Sequence, residues 1–169
     1  MVKIRLAEPG DVEALAVLME DLDSFYGATT IEPFDQRVRQ IVENLFAEPV
    51  AAYVLLAWED KQLVGMAAYS FLWPAASVTR SLYLKELYIT ETFRRKGIGA
   101  LLMQRVCQVA IEHKCSRLEW TADQDNACAE AFYEQLGMPK NQEKTCYRLE
   151  GDHLRSISRV VSRRPPRRR

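Results

Sequence analysis

Arg94-Arg95-Lys96-Gly97-Ile98-Gly99 sits between two segments of opposite periodicity, and its reading decides the fold. Before it, residues 81–89 (SLYLKELYI) read as a long strand; after it, residues 97–113 carry apolar side chains at helical spacing. A strand that turns through glycines into a helix has the parts of an anion site. The first N–H groups of a helix lack intrahelical partners, and the dipole there favours negative charge. Gly97 and Gly99 let a phosphate approach with no Cβ in the way, and Arg94, Arg95 and Lys96 supply cations. Taken alone, the loop is equally well read as solvated cations around two glycines. It is neither GxxxxGK[ST] nor GxGxxG, since position 102 is leucine, and both nucleotide-loop readings fall.

Outward from the loop, residues 2–6 alternate as a half-buried strand, and Asp11 is placed to cap a helix with Val12, Leu15, Leu18, Met19 and Leu22 on one face, ended by Gly27. A second helix over 34–47 aligns Val38, Ile41, Val42 and Leu45. Strands follow at 51–58 and 63–71 across a hairpin, then 81–89, the helix 97–113, a strand 117–122, a helix 127–136 and a last strand near 145–149, with one more weak helix beyond Asp152. The expected fold class is α/β: a mixed, mostly antiparallel sheet with a parallel βαβ core and helices on both faces.

The 169 residues suit one domain, read as 1–154, with 155–169 an Arg/Pro-rich tail whose end is expected to be disordered. That tail holds seven arginines and no carboxylate, which leaves 16 basic against 23 acidic groups in the body. An acidic body attracts cationic substrates and holds off nucleic acid, so any polyanion binding would fall to the tail. Cys107, Cys115, Cys128 and Cys146 form no CxxC pair, and only two histidines accompany them, so neither a metal site nor a disulfide framework is expected. The first residues lack the apolar stretch of a signal peptide, and the longest apolar run, 50–58, is about half a membrane span. A cytoplasmic protein with no membrane association is the expectation.

The Arg94-x-x-Gly97-x-Gly99 loop, after the strand ending at Ile89, resembles the acyl-CoA motif [QR]xxGx[GA] of the GCN5-related N-acetyltransferases. Asn126 with Ala131-Phe132-Tyr133-Glu134-Gln135-Leu136-Gly137 resembles a second segment of that family, with Met138 in place of its final Phe. The resemblance covers about residues 2–150 and runs nearest to the diamine (spermidine/spermine) acetyltransferases and related small-amine enzymes. Those enzymes present two adjacent carboxylates where this chain has Lys85-Glu86, which puts polyamine specificity in doubt.

What the resemblance implies is direct transfer of acetyl from acetyl-CoA, with no metal, to a primary amine of a small molecule. The alternatives are a protein lysine or N-terminal acceptor, or an acyl-CoA-binding module without catalysis. The donor site implied is Arg94, Arg95, Lys96, Gly97, Ile98, Gly99 and Ala100 for the pyrophosphate. The backbone of Leu87, Tyr88 and Ile89, beside a bulge in the fourth strand, serves the pantetheine arm, and Asn126 contributes a hydrogen bond. Tyr133 is expected as the acid for the departing thiolate, and Glu86 as the base for the ammonium, a water chain being the other route. Glu86 reads equally well as a salt-bridge partner. Asp23, Tyr26, Glu86 and Trp120 are the expected acceptor contacts, and a homodimer is the assembly the family suggests.

Overall fold

The computed structural model describes residues 1–138, 140 and 145–160. They divide into two compact units, residues 1–127 and 128–169. The expected disorder at the end of the tail, residues 161–169, lies outside the described residues.

The first unit holds five strands in sequence order: β1 (Val2–Leu6), β2 (Tyr53–Glu59), β3 (Gln62–Leu72), β4 (Arg80–Ile89) and β5 (Cys115–Trp120). The first four pair antiparallel; β4 and β5 pair parallel across the helix between them, which is the mixed sheet the sequence predicts. Helices α1 (Val12–Phe25) and α2 (Phe34–Leu45) pack on one face, where Leu15, Leu18, Leu22 and Ile41 close over Val54, Leu56, Met66 and Tyr88. The alternate residues of β2, Leu55 and Ala57, are also buried and turn to the other face, because side chains alternate along a strand. Helix α3 (Ile98–Glu112), with Ile98, Leu102, Met103 and Val106 buried, completes the core.

Local details depart from expectation for definable reasons. Asp11 gives α1 no side-chain cap. Its carboxylate accepts both ends of the Arg5 guanidinium fork at 2.5 and 2.6 Å and the Glu8 N–H at 2.8 Å, so it ties β1 to the helix entrance. That pairing holds the Asp11 carboxyl below its ordinary pKa. On α2, Val42 is 42% exposed, and the buried face carries Arg37 with Ile41. Arg37 is tolerated there because its guanidinium donates to the Ala16 and Glu32 carbonyls and to Glu20.

Gly27 ends α1 with a φ of 75°, as the sequence suggests. The strand expected at 117–122 is β5, two residues earlier. In the second unit, α4 (Ala127–Gln135, whose first residue closes the first unit) and α5 (Gly151–Val160) match the two expected helices, but 145–149 forms no strand. Tyr147 there is 92% exposed; β-propensity does not by itself provide the ladder partner that makes a strand. Among the described residues no helix is long and apolar enough to cross a membrane.

Gly65 sets how closely β3 and β4 approach near the end of β4. A Cβ there would lie 2.6 Å from Ile89 Cδ1 and 2.8 Å from the Tyr88 carbonyl oxygen. The side chain could turn away; the backbone oxygen could not without moving the strand. Gly65→Ala is therefore expected to destabilise the protein by about 1–3 kcal/mol in urea unfolding, the range for overpacking a tight core. An unchanged midpoint would show that β4 yields freely.

Candidate active site

The register of β3 against β4 slips by one residue: Tyr69 faces Leu84, whereas Ala68 faces Glu86. Lys85 is the extra residue, a β-bulge on β4. Its effect is geometric. Tyr69 and Leu84 stand on the α3 side, as Phe71, two residues on from Tyr69, shows by meeting His113 at the end of α3 with ring centroids 4.7 Å apart. Ala68 packs in the cluster under α1 and α2. Across the bulge the alternation reverses, so Glu86 and Tyr88 turn to the α1 side, where an unbroken strand would have aimed them at α3. Lys85 itself is exposed.

The bulge also coincides with the end of the parallel ladder. Pairing of β4 with β5 runs from Arg80↔Cys115 to Leu84↔Trp120 and stops, while β4 continues to Ile89. The backbone of 85–89 thus has no β5 partner among the described residues, and the sheet parts there.

Glu86, on the α1 side of that parting, is half-buried. Burial pushes its carboxyl pKa above the ordinary value, and the nearby Asp123 charge adds to this. Opposing them are the Tyr26 hydroxyl, which donates to Oε1 at 3.1 Å, the Leu87 backbone N–H and the Lys85 charge. Tyr26 is the C-terminal cap of α1, so the helix end delivers a phenol to a carboxylate 60 positions away. The structure thus brings together two of the expected acceptor residues, Tyr26 and Glu86. Trp120 sits at the last rung of the parallel ladder opposite Leu84, half-buried, and Asp23 is half-buried two residues before the end of α1.

Tyr88 is buried, and its hydroxyl donates to Asp21 Oδ2 at 2.7 Å. Burial first, and that bond second, push its pKa up to about 12, so it stays a neutral phenol. Asp21 was not singled out in the sequence; its position i−1 to Leu22 looks like a solvated helix face.

After β4 comes a single 3-10 turn, Glu91–Phe93, then the glycine loop. Arg95 has a φ of 65° and Gly97 a φ of 80°, both left-handed. Gly97 is the N-cap of α3 and provides no side-chain cap, so no side chain of that residue covers the first N–H groups of the helix, those of Ile98, Gly99 and Ala100. The Lys96 ammonium lies 4.4 Å from the centroid of the Phe93 ring. The Arg94 side chain turns toward β4 and α1. Its Nε donates to the Ile89 carbonyl at 2.9 Å, and its guanidinium carbon lies 4.4 Å over Phe25 and 5.6 Å over Tyr88. Phe25 is a residue that sequence reasoning missed, because an aromatic at a helix end has no distinctive pattern.

Asn126 lies just before α4, its N–H bonded to the Asp123 carbonyl. In the second unit, Tyr133 stands half-buried on α4 with its ring edge-on to Phe132 at 5.1 Å, and its carbonyl accepts the Met138 N–H.

A strand that parts from its parallel neighbour beside an uncapped, glycine-entered helix is matched by similarity over the same region: the profile of the Acetyltransferase (GNAT) family fits residues 15–138. This chain belongs to that family. Transfer of acetyl from acetyl-CoA to an amine nitrogen is accordingly its class of reaction. It is similar to the L-ornithine N5-acetyltransferase of Arabidopsis thaliana, 31% identical over 101 residues, which are 60% of this chain and 44% of that protein. The thialysine N-epsilon-acetyltransferase of Bos taurus is 27% identical over 93% of this chain and 97% of its own length. Among solved structures, an integron cassette protein from the mobile metagenome of V. cholerae superposes with a TM-score of 0.87 at 29% identity, covering 93% of this chain and 97% of that one.

A carboxyl whose pKa is raised by folding favours the folded state fully at pH values below the unfolded pKa, and loses that contribution as pH rises through the folded pKa. Glu86 is such a group. Glu86→Gln keeps an acceptor for the Tyr26 hydroxyl and removes the buried charge. It is expected to raise Tm at pH 7 relative to the unmodified chain, with the gap closing near pH 4; a variant less stable than the parent at pH 7 contradicts this.

Proposed function

We propose that this member of the family acetylates the side-chain amine of a small, amino-acid-like or diamine-like molecule, with Glu86 taking the proton from the acceptor. The observation that carries the reading is the Glu86 carboxylate itself. It is turned to the α1 side by the bulge, raised in pKa by burial, and set where β4 and β5 part. A primary alkylammonium of pKa about 10.4 is roughly 99.9% charged at pH 7, and only its neutral form attacks a thioester. A carboxylate of raised pKa is a better base for it than an ordinary one. The names of two relatives, which act on ornithine and thialysine, support an acceptor that carries a side-chain amine on an amino-acid frame.

For the donor, the N–H groups of Ile98, Gly99 and Ala100, with Arg95 and Lys96, would hold the pyrophosphate; the left-handed turns at Arg95 and Gly97 open that helix start. The stretch of Leu87, Tyr88 and Ile89, held by β3 on one side and not paired by β5 on the other, would offer main-chain groups to the amides of the pantetheine arm, and an N–H there would face the thioester oxygen. Asn126 would add a hydrogen bond to the cofactor. Tyr133 would protonate the leaving thiolate, a role that rests on the motif it belongs to.

Tyr26 and Glu86 would meet the ammonium, with Asp23 and Trp120 as further acceptor contacts. The exposed Lys85 replaces a second carboxylate and favours acceptors with one cationic end at Glu86 over long polycations. The reading includes a reducing cytoplasm, supported by four free cysteines, and a two-fold dimer, which the family resemblance alone suggests.

Incubation with acetyl-CoA and a panel of ornithine, lysine analogues, diamines, polyamines and aminoglycosides, with detection of free CoA thiol, is expected to show turnover with the amino-acid-like amines. No thiol release with any amine would overturn the proposal. With a working acceptor, Tyr133→Phe is expected to lower kcat by about 100-fold while the Kd for acetyl-CoA stays nearly unchanged. Unaltered kcat would remove Tyr133 from the acid role.

A further inference from the structure

Arg94 belongs by sequence to the anion loop, yet its guanidinium is turned back onto the ends of β4 and α1. Three contacts fix it: the Nε–H to the Ile89 carbonyl, the face of Phe25 and the face of Tyr88. Phe25 is the last residue of α1, and its ring meets Tyr26 edge-on at 5.4 Å and Tyr88 tilted at 5.9 Å. Tyr26 in turn donates to Glu86. A continuous path of contacts therefore joins the first residue of the glycine loop to the carboxylate at the bulge. Tyr88, seated on Asp21, closes the cluster from the strand side.

We propose that Arg94 is a positioning residue for the acceptor site: it clasps the end of α1 through Phe25, and so holds Tyr26 against Glu86. Phosphate contacts then come from Arg95, Lys96 and the helix N–H groups. This assignment rests on the acetyltransferase reading for its kinetic consequences, but the clasp itself is a property of the fold. Three physical points support it. Phe25 is half exposed, and its ring is held at its contacts with Arg94, Tyr26 and Tyr88. The last turn of α1 is closed by three main-chain bonds, from the Tyr26, Gly27 and Ala28 N–H groups to the Leu22, Ser24 and Asp23 carbonyls, and helix ends are where local opening is easiest. A guanidinium stays charged across the working pH range and stacks flat on a ring while its Nε serves a carbonyl, which lysine cannot reproduce. The groups that face Glu86 and set its titration are the Tyr26 hydroxyl, the Leu87 N–H, Lys85 and Asp123; of these, Tyr26 is the one that the clasp controls.

The test uses the full chain with Arg94→Gln, Arg94→Lys and Phe25→Leu. Four quantities are measured: Kd for CoA by calorimetry, kcat and KM for the amine at saturating acetyl-CoA, the acid limb of kcat/KM against pH, and amide exchange at residues 26–28. For Arg94→Gln the expectation is a CoA Kd within about threefold of the parent and a kcat/KM for the amine lowered roughly tenfold or more. The acid limb is displaced, and exchange at 26–28 is about tenfold faster. Phe25→Leu should reproduce that pattern, and Arg94→Lys should fall between.

A CoA Kd weakened tenfold or more, with amine kinetics and exchange unchanged, would make Arg94 a phosphate ligand and overturn the proposal. Unchanged values throughout would overturn it equally. If the parent chain acetylates no amine, faster exchange with unaltered CoA binding still establishes the clasp, and it is the functional reading that fails.

Discussion

One extra residue in β4 governs which face the side chains of its last residues take. Without the bulge at Lys85, Glu86 and Tyr88 would face α3 and not α1. With it, both side chains turn to α1, one to Tyr26 and one to Asp21. The same irregularity falls where β5 ceases to pair, so the change of face and the parting of the sheet occur at a single point. A β-ladder that continued on both sides would satisfy every main-chain group between 85 and 89 and leave nothing for a ligand.

Gly65 completes this arrangement from the neighbouring strand. It lets β3 lie against the Tyr88 carbonyl at a distance that no other residue permits, which keeps the far end of β4 attached to the sheet on one side while it is released on the other. Release on one side only is what gives the site a fixed wall. Arg94 serves the same end from the loop, because its bond to the Ile89 carbonyl pins the last residue of the strand.

The order of elements was legible in the sequence because it depends on periodicity and punctuation, both local properties. The α3 helix after Gly97, the hairpin of β2 and β3, and the end of α1 at Gly27 all follow from such signals. What escaped was set by partners distant in sequence. A bulge in the fourth strand came with the family resemblance, yet its position at Lys85 appears only in the register against β3. The turn of Arg94 toward Phe25 is invisible for a similar reason: three cations in a row show charge, while the direction of a long flexible side chain depends on which ring or carbonyl lies within reach. Arg37 was hidden within an apolar face because a buried guanidinium is acceptable only where carbonyls from other elements meet it. The strand expected at 145–149 failed on the complementary ground that no ladder partner meets it among the described residues.

Arg95 carries a further meaning. Its backbone occupies the left-handed region at a φ of 65°, where a residue with a Cβ costs on the order of 1 kcal/mol relative to glycine. The chain has glycine two positions later, so the loop is not short of flexible residues. Arginine there keeps a cation beside the uncapped start of α3 at the expense of a more relaxed turn. The loop is thus a compromise between conformational ease and charge, resolved in favour of charge.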